Sequence, residues 1–457
     1  MAETAVPSPV IAPVSSGYRR YALWVLLIIY TLNFLDRQVV NILAEPIKRD
    51  LGLADWQLGM MTGLAFAIFY TVLGIPIARL AERKNRPRII AVSILAWSAF
   101  TVLCGLAQNV WQLIAARIGV GVGEAGCTPP AHSLITDYVP KDKRASAIAF
   151  YSIGTPLGTL AGMAMGGLIA DAWGWRAAFI VAGAPGVVFA VVAALTLVEP
   201  RRRLAADLAA RAAKPIGFGA ALAVLMAKKT FWLVAFAASV KAFVGYGQAP
   251  FIASYFFRVH GADIAVLAAQ FGLKSAGFLG LSLGLIGGTA GVVGAWLGGQ
   301  LADRLGARDL RAYVTVPAIA SLVTLPFYVA VVSLDAVGAA ILILAVPMLL
   351  GTLWYGPVYA TTQSIVPAEM RATASAVLLF VINLIGLGLG PVAVGALSDL
   401  LAGPMGLGEA QGVRWALIVS TLFGLVAFAL FWAARKTIRE AEQGRDDQSP
   451  AHALGFA

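Results

Sequence analysis

The sequence predicts an all-α membrane protein: twelve transmembrane helices in two pseudo-symmetric six-helix halves, with both termini cytoplasmic. Three observations carry that prediction. Of 457 residues, 60% are hydrophobic and only 12% charged, against about 25% charged in a globular domain. The apolar residues gather in runs of about 20, the length that crosses a hydrocarbon core about 30 Å thick. The turns and charges of the first half recur in the second at a nearly constant offset.

Residues 1–17 are polar and contain prolines, and the first apolar run begins only after Arg19 and Arg20. That run is therefore expected to remain as a span and not to be cleaved as a signal peptide. Charged or Gly/Pro breaks place the spans at 20–45, 56–79, 89–107, 110–137, 145–171 and 175–198, then at 230–257, 275–302, 312–333, 336–364, 372–400 and 413–435. The implied organisation is a disordered cytoplasmic N-terminus (1–19), an N-terminal bundle (20–198), a cytoplasmic linker (199–229), a C-terminal bundle (230–435) and a cytoplasmic tail (436–457). Of the 34 basic residues, only Lys48, Arg49, Arg176, Arg258, Lys274 and Arg414 fall on the outer side, and three lie inside spans. The excess on the other side sets the termini in the cytoplasm. In the linker, Phe218, Leu222, Leu225 and Met226 recur at helical spacing, which fits a short interfacial helix or an ordered surface linker.

Residues 139–147 (VPKDKRASA) and 366–374 (VPAEMRATA) correspond, as do 167–171 (GLIAD) and 395–399 (GALSD). Two parallel halves suit a transporter that rocks about a site at the midplane. The net charge of +11 is that of cytoplasmic loops rather than of a nucleic-acid partner. Cys104, Cys127, His132, His260 and His452 are too scattered for a zinc site, so no metal is expected. Nor is an enzyme, because the only deep acids have arginine neighbours.

Those acids lie in spans one and four. Residues 33–37 read NFLDR, and Asp36 lies about 24 Å along the helix from Arg20. Residues 117–126 read RIGVGVGEAG, with Arg117 and Glu124 seven apart on one helical face. A charge near the bilayer centre costs about 2.5–3.5 kcal/mol on insertion scales, which marks Asp36, Arg37, Arg117 and Glu124 as functional candidates. Two acids and two bases sum to zero, so they form either a proton-responsive network or a static clamp between the spans. The glycine row of span four reads as close helix packing. In the C-terminal half the one deep charge is Lys241, about 16 Å into span seven. Tyr246, Gln248, Tyr355, Tyr359 and Asn383 join it as candidate cavity residues, with Lys241 meeting an anionic headgroup, neutralising Asp36 or reaching a water-filled vestibule.

Residues 299–306, GQLADRLG, followed by Arg308, resemble the signature loop of the major facilitator superfamily; residues 80–88, LAERKNRPR, are a weaker copy. The loop acids and arginines Glu82, Arg83, Asp303 and Arg304, with Asp137, are then expected to form a conformational latch, the aspartate accepting from a neighbouring helix N-terminus. Together with the span-one and span-four motifs, the chain resembles the spinster branch. The resemblance implies a proton-coupled transporter in a bacterial inner membrane, working by alternating access without a cofactor other than the proton. Its cargo would be lysophospholipids or similar anionic amphiphilic lipids. The Asp-Arg pair also occurs among organic-anion transporters, so small organic anions such as sugar acids are the alternative cargo. Membrane lipids are the other expected partners, and the expected unit is a monomer.

Overall fold

A computed structural model of the chain describes residues 15–140, 143–200, 218–367 and 370–439, apart from the side chains of residues 82, 83, 145, 218, 220, 221 and 372. Most of the expected linker and tail, and residues 1–14, lie outside the described residues. The described elements are helical. Helix α1 (Ser16–Leu51) leads to α2 (Asp55–Gly59), which continues through a π-helical stretch, Met60–Leu64, into α3 (Ala65–Arg83). Then come α4 (Arg86–Leu106), α5 (Val110–Glu124), α6 (Thr128–Tyr138), α7 (Arg144–Ser152) and α8 (Gly154–Thr196). The second half holds α9 (Phe218–Ala227), α10 (Lys229–Val259), α11 (Gly261–Gln270), α12 (Ser275–Gly306) and α13 (Ala312–Ser333). It closes with α14 (Val337–Ile343), α15 (Ala345–Thr352), α16 (Tyr355–Ser364), α17 (Arg371–Ile382), π-helical Asn383–Leu389, α18 (Gly390–Ala402) and α19 (Gly408–Ala434). Ten helical segments among the described residues are long and apolar enough to cross a membrane.

The chain runs back and forth between two ends of the bundle. At the end where the described chain starts, called terminal below, Tyr18 donates to the Thr196 carbonyl at 2.9 Å. At the distal end, the Trp175 indole donates to Asp50 at 3.1 Å. Gly174, at φ 83°, breaks α8 between those two points. Helix α1 extends to Leu51, past residue 45 where its apolar run ends, because Gly52 at φ 65° closes it with its N–H on the Lys48 carbonyl. Lys48 and Arg49 are thus part of the helix, not of a loop. The amphipathic spacing around Leu225 is a helix, α9, and Leu225 is buried in it.

Small residues set how closely the helices approach. Gly154, Gly158, Gly162 and Gly166 recur every fourth residue along α8 and meet Tyr30, Phe34, Leu35 and Val39 of α1. Every fourth residue of a helix lies on one face, so this stripe is one continuous seam. A Cβ at Gly162 would stand 2.5 Å from the Leu35 carbonyl oxygen. Gly162→Leu should therefore cost about 1–3 kcal/mol as an overpacked core position and lower the apparent melting temperature. Gly291→Ala, which meets open space, should not. Tryptophan fluorescence during heating compares the two, and identical melting would place α1 and α8 further apart than described.

Candidate functional site

The deep charges of α1 and α5 come together as two pairs. Arg37 Nε donates to Glu124 Oε2 at 2.6 Å, and Arg117 Nη1 donates to Asp36 Oδ2 at 3.3 Å. The Thr101 hydroxyl of α4 gives Asp36 Oδ1 a second donor at 2.6 Å. Asp36, Arg117 and Glu124 are each 1–2% exposed. The glycine row makes this depth possible: a Cβ at Gly121 would stand 2.6 Å from the Phe66 carbonyl oxygen, and one at Gly123 would stand 2.5 Å from the Trp97 nitrogen. Among the described residues Glu124 Oε1 and Arg117 Nε have no partner, so the network holds one spare acceptor and one spare donor.

Arg37 is also wrapped in aromatic faces, with its guanidinium carbon 4.4 Å from the Tyr70 ring centroid, 4.8 Å from Phe66 and 5.3 Å from Phe34. Such contacts hold a cation away from water. Arg37 lies close enough to Tyr30 and, from the other half, to Tyr246 for its charge to act on both, and Tyr246 lies beside Tyr355. Tyr359 lies near Tyr246, Tyr30 and Tyr70. Three of the expected cavity residues, Tyr246, Tyr355 and Tyr359, therefore lie with Arg37 between the halves. Asn383 is half-buried and opens the π-helical stretch. Gln248 is turned to α19, where its amide donates to Thr421 at 2.7 Å and Ser420 at 3.1 Å. Lys241 is 6% exposed and has no ion pair among the described residues. It does not neutralise Asp36, whose carboxylate is already held by Arg117 and Thr101.

Every described hydrogen bond and ion pair between the halves lies at the distal end. Asp171, at the end of the GLIAD segment, accepts from the backbone N–H groups of Ala276 (3.3 Å) and Gly277 (2.6 Å) at the start of α12. Asp399, at the end of the GALSD segment, accepts from Asp55 (2.9 Å) and Trp56 (2.8 Å) at the start of α2. A carboxylate there meets both unpaired donors and the positive end of the helix dipole. The glycine four residues earlier lets the backbones touch: a Cβ would lie 2.1 Å from the Ala276 oxygen at Gly167, and 2.2 Å from the Asp55 oxygen at Gly395. The two repeat segments are thus mirrored locks.

One lock carries an added ion network. Arg258 of α10 donates to Asp55 through Nη1 and Nη2, at 2.8 and 2.7 Å, and to Glu45 through Nε at 2.8 Å. Lys48 and Ser398 complete the shell around Asp55, at 2.8 and 2.6 Å. None of Glu45, Lys48, Asp55, Arg258, Asp171 or Asp399 stands out by motif alone. The signal that could have found the last two is the repeat itself.

The terminal end is differently arranged. Asp303 accepts from the Tyr313 hydroxyl of its own half at 2.9 Å, and Arg304 is exposed. The cap on a neighbouring helix expected of Asp303 is made by Asp171 and Asp399 at the other end instead. Arg86 binds Asp137 at 2.6 Å and also Glu199, within the N-terminal half. Asp309 pairs with Arg439 at 2.9 Å, and the Arg311 backbone N–H on its carboxyl holds it below the usual carboxylate range. The side chains of Glu82 and Arg83 lie outside the described residues.

Two helical halves repeated in sequence, locked at one end and holding paired charges at mid-depth, define a multi-pass membrane transporter. The chain belongs to the Major Facilitator Superfamily, whose profile matches residues 26–391. It is spinster-like within that superfamily. A bacterial homolog of the human lysosomal transporter spinster, solved in an inward-facing and unoccupied conformation, superposes with a TM-score of 0.81 at 32% identity, covering 94% of this chain and 99% of that one. An MFS-type efflux pump of Mycolicibacterium smegmatis is 35% identical over 419 residues, 92% of this chain and 93% of the pump. Protein spinster homolog 1 of Xenopus tropicalis is 25% identical over 428 residues, 91% and 81% of the two chains.

Breaking one partner of a buried ion pair costs about 3–5 kcal/mol, so Arg258→Met should loosen the distal end. The measurement is the reaction rate of a cysteine placed at Leu58, which is fully buried, with a membrane-impermeant maleimide. Cys104 and Cys127 are themselves buried and give a low background. A severalfold faster reaction is expected, and an unchanged rate would mean that the network does not hold this end shut.

Proposed function

We propose that the chain is a proton-coupled secondary transporter of anionic amphiphiles, lysophospholipids or related lipids, working by alternating access. In this reading the polypeptide crosses the inner membrane twelve times: the Gly174 break divides α8 into two crossings, and α5 with α6 makes another. The terminal end is cytoplasmic, as the excess of Lys and Arg there favours. The working unit is one chain, since it contains both halves.

The observation that carries the reading is the pair of buried ion pairs at Asp36–Arg117 and Glu124–Arg37, in a bundle whose described hydrogen bonds and ion pairs between the halves all lie at the distal end. A proton arriving at the unpartnered Glu124 Oε1 neutralises the carboxylate and frees Arg37. A change of charge there alters what the two halves gain from closing over it, and a ligand or proton shifts a conformational equilibrium only through such a difference. The aromatic walls suit an acyl chain, and an arginine beside them suits an acidic headgroup. The superposition on an inward-facing spinster homolog agrees with distal locks and an unlocked terminal end. Similarity to an MFS-type efflux pump agrees with export.

Proteoliposomes with an imposed pH gradient test the reading, with a fluorescent lysophospholipid as cargo. Accumulation should follow the gradient in the wild type. Glu124→Gln and Asp36→Asn should each abolish gradient-driven accumulation while Glu124→Gln retains exchange of labelled for unlabelled lipid, because exchange needs no net proton movement. Movement that ignores the gradient removes the proton from the mechanism. Gradient-driven uptake of a sugar acid with none of the lipid would replace the cargo.

A further inference from the structure

The C-terminal half carries a groove at its terminal end that neither the locks nor the buried ion pairs use. Its volume is about 370 Å³, and it is lined by Met226 of α9, by Lys229, Trp232, Leu233 and Phe236 of α10, and by Leu430 of α19. The four residues of α10 stand at i, i+3, i+4 and i+7, so they form one stripe along the helix. Lys229 heads the stripe, and Phe236 follows seven residues later, about 10.5 Å deeper. Met226 is 61% exposed and Phe236 43%. A groove charged at the end of the bundle and aromatic below it has the polarity of a lipid leaflet.

The mouth of the groove is basic. Lys229 and Lys436 are both exposed. The Thr230 hydroxyl donates to the Thr437 hydroxyl at 2.7 Å, which brings the chain at Lys436 beside the start of α10. Asp309, an acid at this end, is taken by Arg439. The first turn of α10 has no acid and no side-chain cap, so its unpaired N–H groups add to the positive potential. A free phosphate has no use for the aromatic stripe, and an uncharged acyl chain has none for the lysines. The ammonium of a zwitterionic headgroup finds no carboxylate among the lining residues. An anionic phospholipid satisfies both parts, since basic pockets between helices at the membrane surface hold such headgroups.

We propose that this groove holds one anionic phospholipid of the leaflet at the terminal end, as a resident lipid and not as cargo. Its phosphate lies at Lys229 and Lys436, and an acyl chain runs along Trp232, Phe236 and Leu430. The occupant fastens α9, the last part of the segment that joins the two halves. The Trp232 indole already donates to the Leu225 carbonyl of α9 at 3.1 Å, and Leu225 is fully buried. A chain packed against Met226 and Trp232 adds to that hold, so the lipid around the protein bears on the connection between its halves.

The test is lipid retention by the purified full-length protein in nonionic detergent, read by native mass spectrometry. The probes are dioleoyl phosphatidylglycerol and dioleoyl phosphatidylcholine. The wild type should hold one phosphatidylglycerol in preference to phosphatidylcholine. Lys229→Gln should weaken that binding about fivefold, the pull of one lysine on an anionic headgroup, and adding Lys436→Gln should weaken it further. Leu430→Trp, which fills the groove and keeps both lysines, should weaken it as well. Arg20→Gln, which removes an exposed charge at the same end of the other half, should not. Equal retention of the two lipids by the wild type, or undiminished retention in the double lysine variant, would overturn the proposal. So would the same loss with Arg20→Gln, which makes the attraction a general one, or full retention in Leu430→Trp, which puts the lipid elsewhere.

Discussion

A charge placed in hydrocarbon has no water to turn to, so it must find its partner within the protein. That constraint fixes how α1, α4 and α5 stand. Asp36 needs Arg117 and Thr101, and Glu124 needs Arg37, so three helices are drawn to one point at mid-depth. Close approach then becomes obligatory, and the Gly119, Gly121 and Gly123 row follows, because each Cβ there would overlap Phe100, Phe66 or Trp97. The aromatic faces around Arg37 close the remaining side of the cluster.

The same physics operates at the distal end with backbone donors in place of guanidinium groups. A five-residue segment, glycine first and aspartate last, occurs once per half and caps the first turn of a helix of the other half. Two equivalent locks on opposite sides of the interface permit a rocking motion about them, as two parallel repeats require. The halves are nevertheless not equivalent. Among the described residues the Arg258–Asp55–Glu45 network reinforces one lock and not the other, and the buried charge without an ion pair, Lys241, is in the C-terminal half.

Much of this architecture was legible in the sequence for clear reasons. Hydropathy marks where helices cross, and the rarity of charge within the spans makes Asp36, Arg37, Arg117 and Glu124 conspicuous. Which acid takes which arginine was not legible, since Arg117 and Glu124 share a helical face and the answer depends on the rotation of α1 against α5. Gln248 looked like a cavity residue, and α10 is rotated so that it packs on Ser420 and Thr421. Lys48 looked like a loop charge because the apolar run stops early, although the helix continues through Pro46 to Leu51. The GLIAD and GALSD segments were visible as a repeat, but their capping role depends on helices more than 100 residues away in the chain. Asp303 carried the motif of a latch, and in this conformation it is occupied by Tyr313.

The central claim is that two rigid halves pivot, one end opening as the other closes. Paired spin labels measure it directly: one pair spans the halves at the terminal end, a second at the distal end, and a third lies within one half. On acidification in the presence of cargo the terminal distance should shorten and the distal distance lengthen together, with the third pair unchanged. Distal and terminal distances that lengthen together, or a third pair that moves as much as the others, would contradict the account.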